Sequence, residues 1–95
     1  ETLTLDSFAP RVGDAFAVAG PAGATELVLE RVDSLGAPAI AGGRAPFSLV
    51  FRGPPSPILP QATYAFVDAT LGELEIFIVP IAGDARAATY QAIFT

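Results

Sequence analysis

The sequence predicts an all-β fold, a small single-domain β-barrel or sandwich of six to seven mostly antiparallel strands spanning residues 1–95. Two segments carry this prediction, Phe47–Arg52 and Leu71–Pro80, because apolar and other residues alternate along both with a period of two. That alternation, in β-branched and aromatic residues, is typical of half-buried strands. Gly, Pro and Asp separate the segments, and no stretch has helical periodicity, so a β architecture follows.

Six strands are predicted with turn signals between them. Gly20 to Gly23 forms a hairpin turn, Asp6 caps one helical turn, and Pro80 is expected to end the fifth strand because proline lacks a backbone donor. Thr2–Leu5 is predicted to be a short strand or an extended arm, and Gly36–Ala45 a loop. The predicted strands are Ala15–Ala19, Thr25–Asp33, Phe47–Arg52, Thr63–Val67, Glu73–Val79 and Ala87–Thr95.

The aromatic side chains recur at strand spacing, which favours packing in one core. A barrel interior enclosing an apolar ligand is the alternative, although small barrels usually fill their interior with side chains. These residues are Phe47, Phe51, Tyr64, Phe66, Phe77, Tyr90 and Phe94.

The charge balance argues against nucleic-acid and membrane partners. Ten Asp and Glu oppose five cationic residues, giving a net charge of −5, and every cation is arginine. Binding to nucleic acids or anionic membranes depends on a surplus of cations. The longest apolar runs are also far shorter than the ~20 residues of a membrane-spanning helix. We therefore expect no nucleic-acid binding and no membrane insertion.

The residue types also argue against catalysis. The chain has no His, Cys or Lys, so its serines lack the usual activating base, and we expect no enzyme, no cofactor and no metal site. Glu73 and Glu75 lie on one strand face about 6.8 Å apart, a spacing found in glycosidases, but a solvated strand face is the favoured interpretation. Asp84 beside Gly83 falls short of a calcium-binding loop.

Four blocks of sequence resemble, in order, landmarks of a bacterial family of small proteins known as domain of unknown function 6916. The resemblance spans nearly the whole chain and departs at Ala62, where glycine is expected. It implies a compact β domain with no established activity, so it transfers no functional residues. The blocks are Asp6–Gly13, Pro46–Pro54, Leu59–Tyr64, and Leu71–Leu74 with Val79–Ile81.

The composition favours a structural or interaction module that assembles with its own copies or docks on another protein. Hydrophobic residues make up 52% and charged residues only 16%, below the ~25% typical of globular domains. Spare apolar surface of this kind is usually covered by a partner. Thr2–Leu5 could add to the edge of another sheet, and the proline-rich segment could lie on a neighbour. The candidate interface residues are Thr2, Leu3, Thr4, Leu5, Pro54, Pro55, Pro57 and Ile58.

The setting expected for such a module is extracellular, in a filament or a tail-like appendage. The absence of Asn, Met and Cys removes the usual sites of deamidation and oxidation, which suits exposed surroundings. A GC-rich genome, which favours Ala, Gly, Pro and Arg codons, explains the same composition equally well. The alternative function is a small-ligand or carbohydrate-binding β domain. That alternative predicts a cavity of about 300 Å³ or more, lined by the aromatic residues.

Overall fold

The computed structural model describes residues 4–21, 23–37 and 45–94. Within these ranges six antiparallel strands form one closed barrel in the order β1-β2-β3-β6-β5-β4. The predicted all-β class is confirmed, and the architecture is the barrel rather than the sandwich. The elements are helix α1 (Leu5–Phe8), a 3₁₀ turn (Ala9–Arg11), β1 (Ala15–Gly20), β2 (Gly23–Ser34), β3 (Phe47–Gly53), β4 (Ala62–Asp68), β5 (Gly72–Gly83) and β6 (Ala88–Phe94).

Local hairpins and long-range pairings together close the barrel. Gly20 pairs with Gly23 across the tight β1–β2 turn, and β4 and β5 join through a second short turn. Strands β3 and β6, far apart in sequence, pair from Phe47 opposite Phe94 to Gly53 opposite Ala88. The ring closes where β1 meets β4. None of the described helices is long and apolar enough to cross a membrane.

Aromatic rings fill the middle of the barrel. Phe16, Phe51 and Phe66 are fully buried, and their ring centroids lie 5.1–6.2 Å apart in tilted and edge-to-face arrangements. Such geometries are favourable beyond simple area burial. The predicted packing of aromatic residues in the core is thus confirmed for this part of the interior.

The two ends of the barrel are closed differently. At the helix end, the Phe8 ring from α1 lies 5.9 Å from the Phe47 ring and 5.6 Å from the Phe94 ring. At the opposite end, which we call the proline end, segment 54–60 crosses the barrel and buries Leu59. The β1–β2 hairpin and the β5–β6 turn also lie at the proline end.

Four expectations from the sequence are wrong. Leu5 begins a helix instead of ending a strand, and Thr4 rather than Asp6 precedes the helix as its N-cap, its backbone N–H donating to Ser7 Oγ at 3.0 Å. Pro80 does not end β5, because a bulge between Pro80 and Ala82 lets the strand continue to Gly83. Phe77 is not in the core, since 49% of its surface is exposed.

The remaining strand boundaries within the described residues agree with the prediction to within two residues. The end of the predicted sixth strand at Thr95 and most of the predicted loop, at 38–44, lie outside the described residues. So do Thr2 and Leu3 of the candidate interface.

Candidate functional site

The proline end exposes the second half of the predicted interface. Pro54, Pro55, Pro57 and Ile58 are all exposed, and Ile58 shows 47% of its surface. Beside them is a pocket of about 140 Å³, small compared with the ~300–1,000 Å³ of typical ligand sites. Its lining is mainly apolar: Pro21, Gly23, Ala24, Thr25, Leu27, Pro54, Pro57, Ile58, Leu59 and Tyr90.

Two tyrosines hold the proline-rich segment in place. The buried Tyr90 hydroxyl accepts a hydrogen bond from the Leu59 backbone N–H at 2.9 Å, and the Tyr64 hydroxyl donates to the Pro60 carbonyl at 2.6 Å. A buried backbone donor left unpaired would be costly, so the Tyr90 bond ties the segment to β6. The backbone at Leu59 and Pro60, which follows the exposed prolines, is therefore held to the barrel by hydrogen bonds.

An open depression on the side of the proline end carries two guanidinium groups. It has a volume of about 440 Å³ and is lined by Glu26, Val28, Arg52, Gly53, Pro54, Arg86 and Ala87. Arg52 Nε lies 3.7 Å from Glu30 Oε2, a solvent-exposed pair of small energetic value. Arg86 makes no ion pair with the residues that the structure describes. The lining of the depression thus carries two arginines and one carboxylate, that of Glu26.

The turn that carries Arg86 is organised by Asp84. Asp84 Oδ1 accepts hydrogen bonds from the backbone N–H of Arg86 at 2.8 Å and of Ala87 at 3.0 Å. These two bonds, the Arg86 one being the larger effect, hold the pKa of the Asp84 carboxyl below its ordinary value of 3.8. The Asp84 carboxylate therefore interacts with backbone N–H groups of its own turn.

We expect the Asp84 carboxyl in the folded protein to remain ionised at the pH where an ordinary aspartate is half protonated. Because the pKa is lower in the folded state, its contribution to stability is complete above the ordinary value and is lost as the pH falls through the folded-state pKa. A carboxyl-carbon NMR titration measures this directly, and the same titration in urea supplies the unfolded reference. Equal midpoints in both states would contradict the prediction.

The outer surface of β5 and β6 carries a group of exposed apolar side chains. Phe77 is 49% exposed, Ile81 50% and Ile93 58%, and the half-buried Val79 lies between the first two along β5. Val79 pairs with Gln91 of β6, two residues before Ile93 in the chain. We call Phe77, Val79, Ile81 and Ile93 the outer stripe.

Acidic side chains adjoin the outer stripe on the same side of β5. Glu73 and Glu75 are exposed, opposite Val67 and Ala65 of β4, in keeping with the favoured interpretation of a solvated strand face. The part of the chain that the structure describes has no group of three or more His, Cys, Asp or Glu residues able to hold a metal.

The outer stripe was missed by the sequence reasoning, which assigned Phe77 to the core and Ile93 to no surface. The signal was present, because Phe77 shares its strand face with Glu73 and Glu75, and Ile93 shares its face with Thr89 and Gln91. When only residue type is considered, a phenylalanine such as Phe77 is assigned to the core even though acidic residues share its strand face. The acidic neighbours of Phe77 indicate instead that this strand face is exposed to solvent.

The fold and surface define a small closed β-barrel with a filled interior and apolar side chains on its exterior. Residues 3–94 match the model of the family described as "Domain of unknown function (DUF6916)", and the chain belongs to that family. The resemblance noted from the sequence is thereby confirmed. No curated protein and no solved structure matches the chain.

Proposed function

We propose that this barrel is an interaction module that works by docking its exterior on another protein, either a copy of itself or a different partner. The observation that carries the proposal is the outer stripe, where large apolar side chains are about half exposed although the barrel has a well-filled core. Exposing a contiguous apolar surface to water is unfavourable, and such surfaces commonly mark interfaces.

Side-chain docking suits this barrel better than strand addition. Each strand in the described part has a neighbour on both sides, so a partner strand finds no end strand of an open sheet to extend. The rigidly held Pro54, Pro57 and Ile58 offer a second apolar surface at the proline end. An extracellular filament or tail-like appendage is the setting we propose for such a module.

The alternative, a small-ligand or carbohydrate-binding domain, is supported less well. The aromatic rings at the barrel centre contact one another, and the 140 Å³ pocket has Tyr90 as its one aromatic lining residue. The larger depression has no aromatic residue in its lining. Sugars are usually held against aromatic faces in deeper sites, so neither surface suits them well.

Sedimentation velocity across the micromolar range, together with capture from an extract of the native host, tests the proposal. We expect the chain to associate with itself or with a captured protein, and the double variant Phe77→Ser/Ile93→Ser to lose that association while remaining folded by circular dichroism. The matched control is Val12→Ser/Leu35→Ser, which removes two side chains that are each 49% exposed outside the stripe. A monomer whose captured proteins are the same with both double variants would refute the proposal.

A further inference from the structure

The apolar pocket at the proline end contains a buried hydroxyl whose own hydrogen has no acceptor. Tyr90 lines the pocket and is 1% exposed, and its hydroxyl oxygen accepts the hydrogen bond from the Leu59 backbone N–H at 2.9 Å. A tyrosine hydroxyl can donate as well as accept, yet no residue that the structure describes accepts a hydrogen bond from Tyr90. The Tyr64 hydroxyl, by contrast, donates to the Pro60 carbonyl. Tyr90 therefore keeps one unused donor beside an apolar space.

The pocket belongs to the mouth of the barrel and not to its outer surface. Thr25 of β2 lines it, is half-buried and pairs with the buried Val18 of β1. Directly opposite residues of an antiparallel pair share a sheet face, so the Thr25 side chain lies on the inward face of the strand. Pro54 and Pro57, which also line the pocket, are exposed. Solutes can thus reach the pocket from the proline end.

The size and lining of the pocket restrict the class of ligand. Its volume is about 140 Å³, and an apolar cavity of about 150 Å³ is large enough to hold benzene. None of the described residues that line it is charged, so an ionised ligand would lose its hydration without gaining a counter-charge. A buried donor without an acceptor is unfavourable, so a ligand oxygen that accepts the Tyr90 hydrogen gains over a plain hydrocarbon.

We propose that this pocket binds a small uncharged molecule, one apolar ring or branched chain of roughly six to eight non-hydrogen atoms with a carbonyl oxygen that accepts the hydrogen bond from Tyr90. The apolar part of the ligand packs against Leu27 and Ile58. This site is separate from the outer stripe, so it stands or falls independently of the proposed docking function.

The hydrogen bond is tested with two flat probes of equal size, benzaldehyde and styrene, which differ by a carbonyl oxygen in place of a methylene group. Titration of each probe into the whole chain, followed by ¹H–¹⁵N NMR, should give saturable shifts at Leu59, Thr25 and Tyr90. In Tyr90→Phe we expect the benzaldehyde dissociation constant to rise about fivefold or more and that of styrene to change by less than about twofold. Both probes experience the loss of the Leu59 hydrogen bond, so the difference between them reports the lost donor.

The position of the site is tested by filling the pocket. Thr25→Phe places a ring in the space and should weaken both probes about tenfold or more, since an overfilled site excludes the ligand. The matched control is Ala17→Phe, which adds the same ring on the exposed face of β1, away from the pocket lining, and should leave both dissociation constants unchanged. This pair decides the question even if Tyr90→Phe does not fold.

Saturable shifts at the pocket that Thr25→Phe abolishes and Ala17→Phe retains support the site. A pocket that holds only water gives no saturable shift with either probe, and that result overturns the inference. Binding that survives Thr25→Phe, or shifts centred on Phe77 and Ile93 instead, also overturns it. An equal loss of both probes in Tyr90→Phe refutes the hydrogen bond to Tyr90 and with it the proposed ligand class.

Discussion

Replacing Phe51 by alanine should lower the free energy of unfolding by about 3–5 kcal/mol. The Phe51 ring is fully buried and lies 5.6 Å from the Phe16 ring and 5.1 Å from the Phe66 ring, so its removal leaves a cavity at the barrel centre and breaks two aromatic contacts. Domains are stable by only about 5–15 kcal/mol in total. A melting temperature lower by on the order of 15–30 °C is therefore expected.

Urea unfolding followed by circular dichroism measures this loss, since the chain has no tryptophan for fluorescence. Phe77→Ala is the matched control, because it removes the same ring from the exposed outer face and should change stability by no more than about 0.5 kcal/mol. Phe51→Leu retains more of the side-chain volume and keeps the measurement possible if the alanine variant does not fold. Equal losses for Phe51→Ala and Phe77→Ala would contradict the assignment of inner and outer faces.

Replacing Leu59 by alanine should cost about 2–3 kcal/mol, the lower part of the range for buried leucines. Leu59 is buried at the proline end, and its Cδ2 lies 2.8 Å from where a Cβ at Gly20 would stand. The lower part of the range is expected because the neighbouring pocket of about 140 Å³ lets water or nearby side chains enter the vacated space. The Leu59 amide, which donates to Tyr90, should also exchange its hydrogen faster.

Ile58→Ala provides the comparison, since Ile58 is adjacent in sequence and 47% exposed. We expect its effect on stability to stay within about 0.5 kcal/mol. Urea unfolding of both variants, with amide exchange at Leu59 by NMR, separates the two positions. If Ile58→Ala destabilised the protein as much as Leu59→Ala, the segment would not be anchored through Leu59.

The strands could be predicted from sequence because alternation is a local property. Phe47, Leu49 and Phe51 were expected on one face and are buried, but Ser48 and Val50 on the opposite face are buried too, so β3 is a strand and not the half-buried one that its alternation predicts. Closure between β1 and β4 could not be predicted, since it rests on Ala17 opposite Val67 and Val18 opposite Phe66, about fifty residues apart. Pairing over such a distance is decided by the packing of the whole interior.

The misplaced boundaries have equally specific causes. Pro80 has no backbone N–H to donate, and the bulge after it shifts the register so that pairing with β6 resumes at Ala82. This shift depends on the partner strand and cannot be predicted from the sequence of β5 alone. Leu5 is helical because Phe8 must reach the rings of Phe47 and Phe94 to close the barrel, a tertiary requirement that overrides the alternation of Thr2–Leu5. Pro54, Pro55, Pro57 and Ile58 of the predicted interface are exposed, whereas the apolar side chains on the outside of β5 were not predicted to be exposed.

The closed ring of strands has a consequence for solubility. Exposed apolar patches on open sheets promote stacking into amyloid-like fibrils, because the unpaired backbone groups of the edge strands can pair with further chains. Here each described strand has a neighbour on both sides of the ring, so Phe77 and Ile93 face water on a sheet that has no end strand. We therefore expect any association through these apolar side chains to be reversible and not fibrillar.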